Sequence, residues 1–375
     1  MEKRKIASLN AETSLLGFGL MRLPTLDGDG SKIDYPKAQA MVDRAYKAGV
    51  NYFDTAYVYH DQKSEIFAGD TLSKYPRESY YLATKMPTWQ KFQSQDDMKQ
   101  IFDAQLEKCK TSYFDFYLIH GLNEERLDIL KDWVYDFVCK KKEEGLIHRM
   151  GFSFHSRPDI LQEIIKNYKW DFSMIQLNYV DWEVADAKKL YEILTENKIP
   201  AIIMEPIKGG TLSNKLSDKV MDLLKKADPS SSAASWALRF AASLPNVVTV
   251  LSGMSEPEHV EDNLKTFENF KPLNENEQKI IKEAVQVYRS SGTIPCTDCR
   301  YCKDCPSGVN IPLVLTMYNH QHVNKIKINF INQYRTMKKS EQAHNCTNCG
   351  QCVKLCPQGI DIPKYLKEVV DFLAS

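Results

Sequence analysis

One pattern governs the chain from residue 15 to about residue 270: a short apolar run followed by an amphipathic stretch, eight times over. The runs are LLGFGLM, VNYFDTA, YYLATK, DFYLIHG, RMGFSF, SMIQLN, AIIMEP and VVTVLSG. Runs this short and this apolar read as strands buried on both faces. Between them, segments such as YPKAQAMVDRAYKAG, SQDDMKQIFDAQLEKCK and RPDILQEIIKNY repeat apolar residues at three- and four-residue steps, the period of an amphipathic helix. Ser94, ahead of Asp96 and Asp97, marks a helix start; Gly49 and Gly145 mark helix stops. Eight strand–helix units in this length predict an α/β fold, a closed (β/α)8 TIM barrel. The competing open doubly wound sheet would carry G-x-G-x-x-G in its first strand-to-helix turn, with an acidic residue about twenty positions later. This chain has no such pairing there.

The strand ends carry the chemistry. Asp54, Lys85, His120, Ser153, Gln176, Glu205 and Ser252 close successive runs. In a parallel barrel these ends converge on one mouth, where active sites sit. Taken singly, an Asp caps helices, a Lys is usually solvated, and a lone His is more often structural than catalytic. Placed at successive strand ends, Asp, Lys and His would face one pocket.

FDTAYVYHDQKSE, LATK and DFYLIHG resemble the aldo-keto reductases, whose site is an Asp, Tyr, Lys, His tetrad on a (β/α)8 barrel. The resemblance spans about residues 5 to 270 and implies those roles for Asp54, Tyr59, Lys85 and His120. Carbonyl reduction takes a hydride to carbon and a proton to oxygen. A free tyrosine has a pKa of about 10. The expectation is that the Lys85 ammonium lowers that value for Tyr59, Asp54 holds Lys85 charged, and His120 donates a hydrogen bond to the carbonyl oxygen. The same resemblance puts Ser153 and Gln176 at the nicotinamide carboxamide, Asn263 at the adenine, and Met204 where the family usually has an aromatic stacker. It puts Gly209 and Gly210, in MEPIKGGTL, beside the pyrophosphate, although two glycines suit a plain tight turn equally well. The family's usual Asn after the serine is replaced here by Phe154-His155. After the eighth strand, LSGMSEPEHVEDN offers Ser252, Gly253 and His259 where many relatives clamp a 2′-phosphate with Lys and Arg. NADH is therefore accommodated at least as well as NADPH.

Eight of the ten cysteines fall in the last quarter, in CTDCRYCKDCPSGVNIP from Cys296 and CTNCGQCVKLCPQGIDIP from Cys346. The second run is C-x2-C-x2-C-x3-C-P, the bacterial ferredoxin pattern, and the first shortens its last gap to two residues. No export signal is readable in MEKRKIASLNAETSLLGFGL, so cysteines this dense mean metal and not disulfides. Zinc sites usually draw two pairs separated by a longer span, and a proline after the fourth cysteine has no zinc rationale. Two 4Fe-4S clusters are expected on Cys296, Cys299, Cys302, Cys305, Cys346, Cys349, Cys352 and Cys356. In two-cluster ferredoxins the fourth cysteine of each run serves the other cluster. Cys356 would then join Cys296, Cys299 and Cys302, and Cys305 would join Cys346, Cys349 and Cys352. The runs lead into IPLVLTMYNHQ and IPKYLKEVVDFLA, which resemble the helices of all-helical ferredoxin modules. NENEQKIIKEAVQVYRSSG reads as one helix after Pro272. The expected division is a barrel at 1–274, then a helical linker and a small, mainly helical ferredoxin-like domain at 275–375. Barrel plus two-cluster tail resembles a bacterial and archaeal branch of the aldo-keto reductases. Cys109 and Cys139 lie on helix patterns as buried spectators.

Lys plus Arg equal Asp plus Glu at 49 each, so no global field draws the chain to nucleic acid or an anionic membrane. No apolar run reaches spanning length, and the cytoplasm is the expected compartment. NKIKINFINQYRTMKK, with Lys325, Lys327, Arg335, Lys338 and Lys339, would suit an acidic electron carrier such as a ferredoxin; a solvated helix face explains it too. The leading function is an NAD(P)-linked oxidoreductase interconverting a carbonyl compound and an alcohol. The alternative is an electron-transfer or adaptor subunit whose barrel presents the ferredoxin module to a redox partner. The complete tetrad favours the first. Nicotinamide exchanges electron pairs and clusters exchange single electrons, so FMN at a barrel-mouth phosphate site stays open as a link, without a readable fingerprint.

Overall fold

The structure, a computed structural model, describes residues 1–90, 92, 94–290, 292–324 and 327–374. It divides into two compact units: Met1–Pro206 with Ala237–Leu273, and Ile207–Trp236 with Asn274–Ser375. Segment 207–236 falls inside the span expected for the barrel, yet it groups with the cysteine-rich part of the chain.

In the first unit a short antiparallel hairpin, β1 (Lys3–Ile6) and β2 (Ala11–Ser14), precedes eight parallel strands. These are β3 (Leu16–Gly19), β4 (Tyr52–Asp54), β5 (Tyr81–Met86), β6 (Phe114–Leu122), β7 (Ile147–Phe154), β8 (Phe172–Gln176), β9 (Ala201–Met204) and β10 (Val247–Ser252). They pair in sequence order, and β10 closes the barrel on β3. Every residue of β6 is buried, which is why its sequence reads as a continuous apolar run. Helix Gln95–Lys108 begins with a capping box in which Ser94 and Asp97 satisfy each other's backbone N–H. Gly49 and Gly145 follow helices with φ of +95° and +75°, the left-handed stop that glycine supplies.

The hairpin has no counterpart in the sequence reading. Its Leu9 and Ala11 pack with Tyr52 and Phe172, the first residues of β4 and β8, and the Arg149 guanidinium donates to the Leu9 and Asn10 carbonyls. The N-terminal strand ends are thereby plugged, which leaves the C-terminal ends to build a site.

The second unit is helical. Helix Asp218–Ala227 packs on helix Glu275–Arg289, which a capping box between Asn274 and Glu277 starts just beyond Pro272. Helices Ile311–Asn324, Lys327–Thr336, Gln351–Leu355 and Ile362–Ala374 complete it. Its core joins Ile311, Val314, Leu315, Phe330, Leu366 and Val369, and six of the clustered cysteines pack half-buried against it. In the basic stretch Lys338 pairs with Glu341 at 3.4 Å and the Lys327 ammonium lies 4.8 Å from the Phe372 ring centroid; Lys325 lies outside the described residues. Among the described residues no helix is long and apolar enough to cross a membrane.

Candidate active site and cysteine sets

Asp54 ends β4 and Lys85 sits one residue from the end of β5, so neighbouring parallel strands bring them side by side. The Lys85 ammonium donates to Asp54 Oδ1 at 2.6 Å and to the Thr55 carbonyl at 2.7 Å, and the two side chains are only 1% and 4% exposed. Lys85 Nζ lies 4.8 Å from the Tyr59 ring centroid, and the Tyr59 and His120 rings meet edge to face at 6.1 Å. The four residues expected to act together form one connected group. Behind it, Glu65 accepts from Thr84 and Gln105, and Gln105 also donates to the Lys85 carbonyl, which braces the end of β5.

Tyr59 reaches the group from a loop under strain. His60, Asp61 and Gln62 have φ of 51°, 50° and 68°, three consecutive left-handed conformations without a glycine. His60 pins this loop: its Nδ1 bonds the Gly30 carbonyl at 2.7 Å and its Nε2 accepts from the Leu23 N–H at 3.3 Å. That places the ring proton on Nδ1, and burial keeps the imidazole neutral by lowering its pKa. His60 was not anticipated as a positioning residue. Nor was Trp89, whose ring stacks edge-on to His120 at 4.8 Å.

Electrostatics corrects one expectation. The Tyr59 hydroxyl is pushed well above the ordinary tyrosine range and not below it, first by burial and then by the Asp54 and Glu205 carboxylates; Arg22 opposes them. Desolvation outweighs the opposing charge of Arg22. Burial likewise raises Asp54 and lowers Lys85, with their mutual attraction opposing both shifts. His120 is driven well below the ordinary imidazole value by burial, helped by Lys85, His155 and Arg126. The pocket therefore holds a protonated tyrosine beside a neutral histidine whose Nδ1 has no hydrogen-bond partner.

The residues expected around a cofactor are distributed along the same strand ends. Ser153 Oγ accepts from the Gly121 N–H at 2.7 Å, one residue past His120, and the hydroxyl keeps its own proton for an acceptor. Gln176 ends β8 and donates to Asp181 at 2.7 Å, a carboxylate also held by Asn178. Met204 ends β9 half-buried against the barrel core. Ser252 ends β10 and accepts from Asn263 at 2.9 Å. Ser153, Gln176 and Ser252 thus bring hydroxyl and amide groups to the ends of three strands. Gly209 and Gly210 belong to the second unit: Gly209 has φ +62°, and a Cβ there would stand 2.0 Å from the Thr297 carbonyl oxygen. A close backbone approach to the first cysteine run thus accounts for that glycine, whatever its relation to a pyrophosphate.

Cysteines of the two runs lie within electrostatic reach of one another. Cys302 is pushed up to about 12, first by burial and then by Cys299, Cys296 and Cys356. Cys352 is pushed up to about 11, again first by burial, then by Cys346, Cys305 and Cys349. Each run's third thiol therefore feels the fourth thiol of the other run. Several thiolates this close are tenable only around strongly cationic metal, which is the donor chemistry of an iron–sulfur cluster. Cys109 is buried and Cys139 half-buried.

Barrel, connected tetrad and crossed thiols define a class of redox protein. The chain belongs to the aldo/keto reductase family, whose model matches residues 15–286, and it carries a 4Fe-4S dicluster domain at 295–361. It is an oxidoreductase of that family. It is similar to an uncharacterized oxidoreductase, YqkF, of Bacillus subtilis, 26% identical over 75% of this chain and 96% of the relative. An NADH-specific methylglyoxal reductase of Escherichia coli is 22% identical over 70% of this chain and 93% of the relative. Among solved structures, the holo form of aldo-keto reductase AKR11C1 from Bacillus halodurans is similar with a TM-score of 0.63 and 26% identity, over 76% of this chain and 96% of the other.

Proposed function

We propose that the barrel interconverts a carbonyl compound and its alcohol with a nicotinamide dinucleotide, and that the C-terminal domain holds two 4Fe-4S clusters on the crossed cysteine sets. The observation that carries the first reading is the buried Lys85–Asp54 pair beneath Tyr59 and His120. A buried charge pair is weak for stability, so its place beside a tyrosine and a histidine argues for chemistry.

Bound nicotinamide would supply the hydride. Tyr59, kept protonated by its surroundings, donates its phenolic proton as negative charge develops on the substrate oxygen. The Lys85 ammonium stabilises the phenolate left behind, and Asp54 keeps Lys85 charged and aimed. Neutral His120 orients the oxygen through a ring N–H, and Trp89 forms an apolar wall beside it. Ser153, Gln176 and Asn263 would hold the dinucleotide, with Met204 and Ser252 lining its path. NADH is the preferred form. Beyond β10, Glu256 stands at the N-cap of the next helix and Glu258 lies in its first turn, and the nearby Lys37 is already paired with Glu256 at 2.5 Å, which leaves poor electrostatics for a 2′-phosphate. The E. coli relative's name, NADH-specific, is consistent with this. The substrate is a small carbonyl compound, and we place the protein in the cytoplasm.

The test is Tyr59→Phe in anaerobically purified protein, assayed on a panel of aldehydes and ketones with NADH and NADPH. Turnover should fall at least about 10²-fold, the scale of lost general acid catalysis, with dinucleotide binding retained. Unchanged turnover would move the barrel to the adaptor role. Iron, sulfide and flavin counts on the same preparation decide whether FMN bridges the two electron-transfer modes.

A further inference from the structure

Behind the tetrad lies a second buried carboxylate that the proton transfer itself does not use. Glu65 sits in the first turn of helix Ser64–Leu72, directly after the left-handed run at His60–Gln62, and is fully buried. Its Oε1 accepts from the Thr84 hydroxyl and from the Gln105 amide, each at 2.7 Å. Its Oε2 has no hydrogen-bond partner and lies 3.8 Å from the Lys108 ammonium, whose side chain is 21% exposed. A carboxylate here carries a desolvation cost that a methionine of similar size would not, so stability alone is a poor account of it.

The contacts around Glu65 converge on Lys85. Gln105 Oε1 accepts from the Tyr117 hydroxyl at 2.6 Å, which turns the amide N–H groups toward Glu65 and toward the Lys85 carbonyl at 3.0 Å. Thr84, the other donor to Glu65, precedes Lys85 on β5. One carboxylate thus anchors the residue before Lys85 and, through Gln105, the backbone of Lys85 itself. Its charge reaches the ammonium as well: burial lowers Lys85, Asp54 opposes that first and Glu65 second. Burial raises Glu65 in turn, against the Thr84 and Gln105 hydrogen bonds and then the Lys108 and Lys85 charges. The Tyr117 hydroxyl and Cys109 thiol, also within reach of Glu65, are driven up by burial and then by Glu65, and stay neutral. The other titratable groups about Lys85 are Tyr59 and the neutral His120.

We propose that Glu65 is a positioning residue for the carbonyl chemistry: with Asp54 it keeps the Lys85 ammonium charged, and through Thr84 and Gln105 it holds that ammonium in place. The inference rests on the function proposed above. At high pH the tetrad fails when the coupled Tyr59–Lys85 pair loses its first proton. A negative charge nearby holds that proton, so removing the charge moves the loss to lower pH.

The test is the pH profile of kcat from about pH 6 to about pH 10, at saturating dinucleotide and substrate, on the full chain and its variants. Turnover that Tyr59→Phe leaves unchanged would overturn the carbonyl reading and this inference with it. With that control passed, the remaining outcomes judge Glu65 alone. Glu65→Gln keeps an acceptor for Thr84 and Gln105 but no charge. Its alkaline limb should move about one pH unit lower, a tenfold change in proton affinity, with the dinucleotide Kd unchanged. Glu65→Asp restores the charge without the reach, so the limb should return while kcat stays reduced. Gln105→Met and Thr84→Val each remove part of the brace and keep the charge; kcat should fall about tenfold with the limb in place. A folding defect would scale activity at every pH and move no limb. An unmoved limb in Glu65→Gln would overturn the proposal, as would a limb shifted equally by Glu65→Asp. Should Glu65→Gln not fold, the two brace variants decide: kcat undiminished in both overturns the role of Glu65.

Discussion

Removing one member of the buried pair, and then both, separates what Lys85 and Asp54 do for chemistry from what they do for stability. At 2.6 Å and an effective permittivity of about 20, their attraction is about 6 kcal/mol. Stripping water from two ions takes back several kcal/mol each, so the intact pair contributes little net stability. Lys85→Met alone leaves Asp54 without its cation in a site where burial already raises its pKa, so it must be buried unpaired or take up a proton, and its Oδ2 has no hydrogen-bond partner even now. A buried pair broken on one side costs about 3–5 kcal/mol. In a unit this large, that lowers the barrel's melting midpoint by about 6–20 °C. Asp54→Leu with Lys85→Met removes both charges and should return to within about 1–2 kcal/mol of wild type, the remainder reflecting the Thr55 carbonyl that loses its donor. Both variants should be inactive. Urea unfolding followed by tryptophan fluorescence gives the stabilities, and carbonyl turnover gives the function. A double variant as unstable as the single one would refute the reasoning, as would a single variant losing less than about 1 kcal/mol.

The proposed crossing of the cysteine sets predicts that Cys356→Ser strips the cluster of the first run and Cys305→Ser that of the second; EPR of each variant, compared with Cys299→Ser and Cys349→Ser as references for each run, tells which cluster remains. Gly209→Ala should destabilise the iron-bearing unit by about 1–3 kcal/mol through its left-handed φ and the Thr297 carbonyl in its path, seen as faster iron loss to a chelator. Gly210→Ala, with Ser213 Oγ at 4.0 Å as the nearest atom, should lose iron more slowly than Gly209→Ala. His155 is lowered to about 4, first by burial and then by Arg126, so its neutral form supports the fold. That contribution is whole above the unfolded value of about 6.5 and is lost as pH falls toward 4. His155→Phe should therefore flatten the stability–pH curve between those limits, measured as the difference from wild type in urea midpoint.

The barrel was legible because its strands are local statements. Runs such as DFYLIHG and VVTVLSG are mostly apolar since parallel strands are buried on both faces, and the residues that end them face one mouth by topology alone. The N-terminal hairpin was missed for the converse reason: Lys3–Ile6 is three basic residues and one Ile over only four positions, too short for periodicity to speak. His60 and Trp89 carry no spacing signal. They act through a strained loop and an edge-on ring contact, and neither exists before the chain is folded.

By itself, the sequence determined the eight strands of the barrel and singled out the tetrad candidates and the eight clustered cysteines, since spacing along the chain constrains each of these directly. The tertiary structure alone decided which charges act on which groups. It turned the expected lowering of Tyr59 into a rise, because desolvation depends on every atom packed around the ring and not on the nearest lysine in the motif. It assigned residues 207–236 to the cysteine-rich unit, which brought Gly209 onto Thr297 and Lys215 beside Cys296 across about eighty positions of chain. Burial and long-range electrostatics are properties of the folded volume, and no local pattern of residues encodes them.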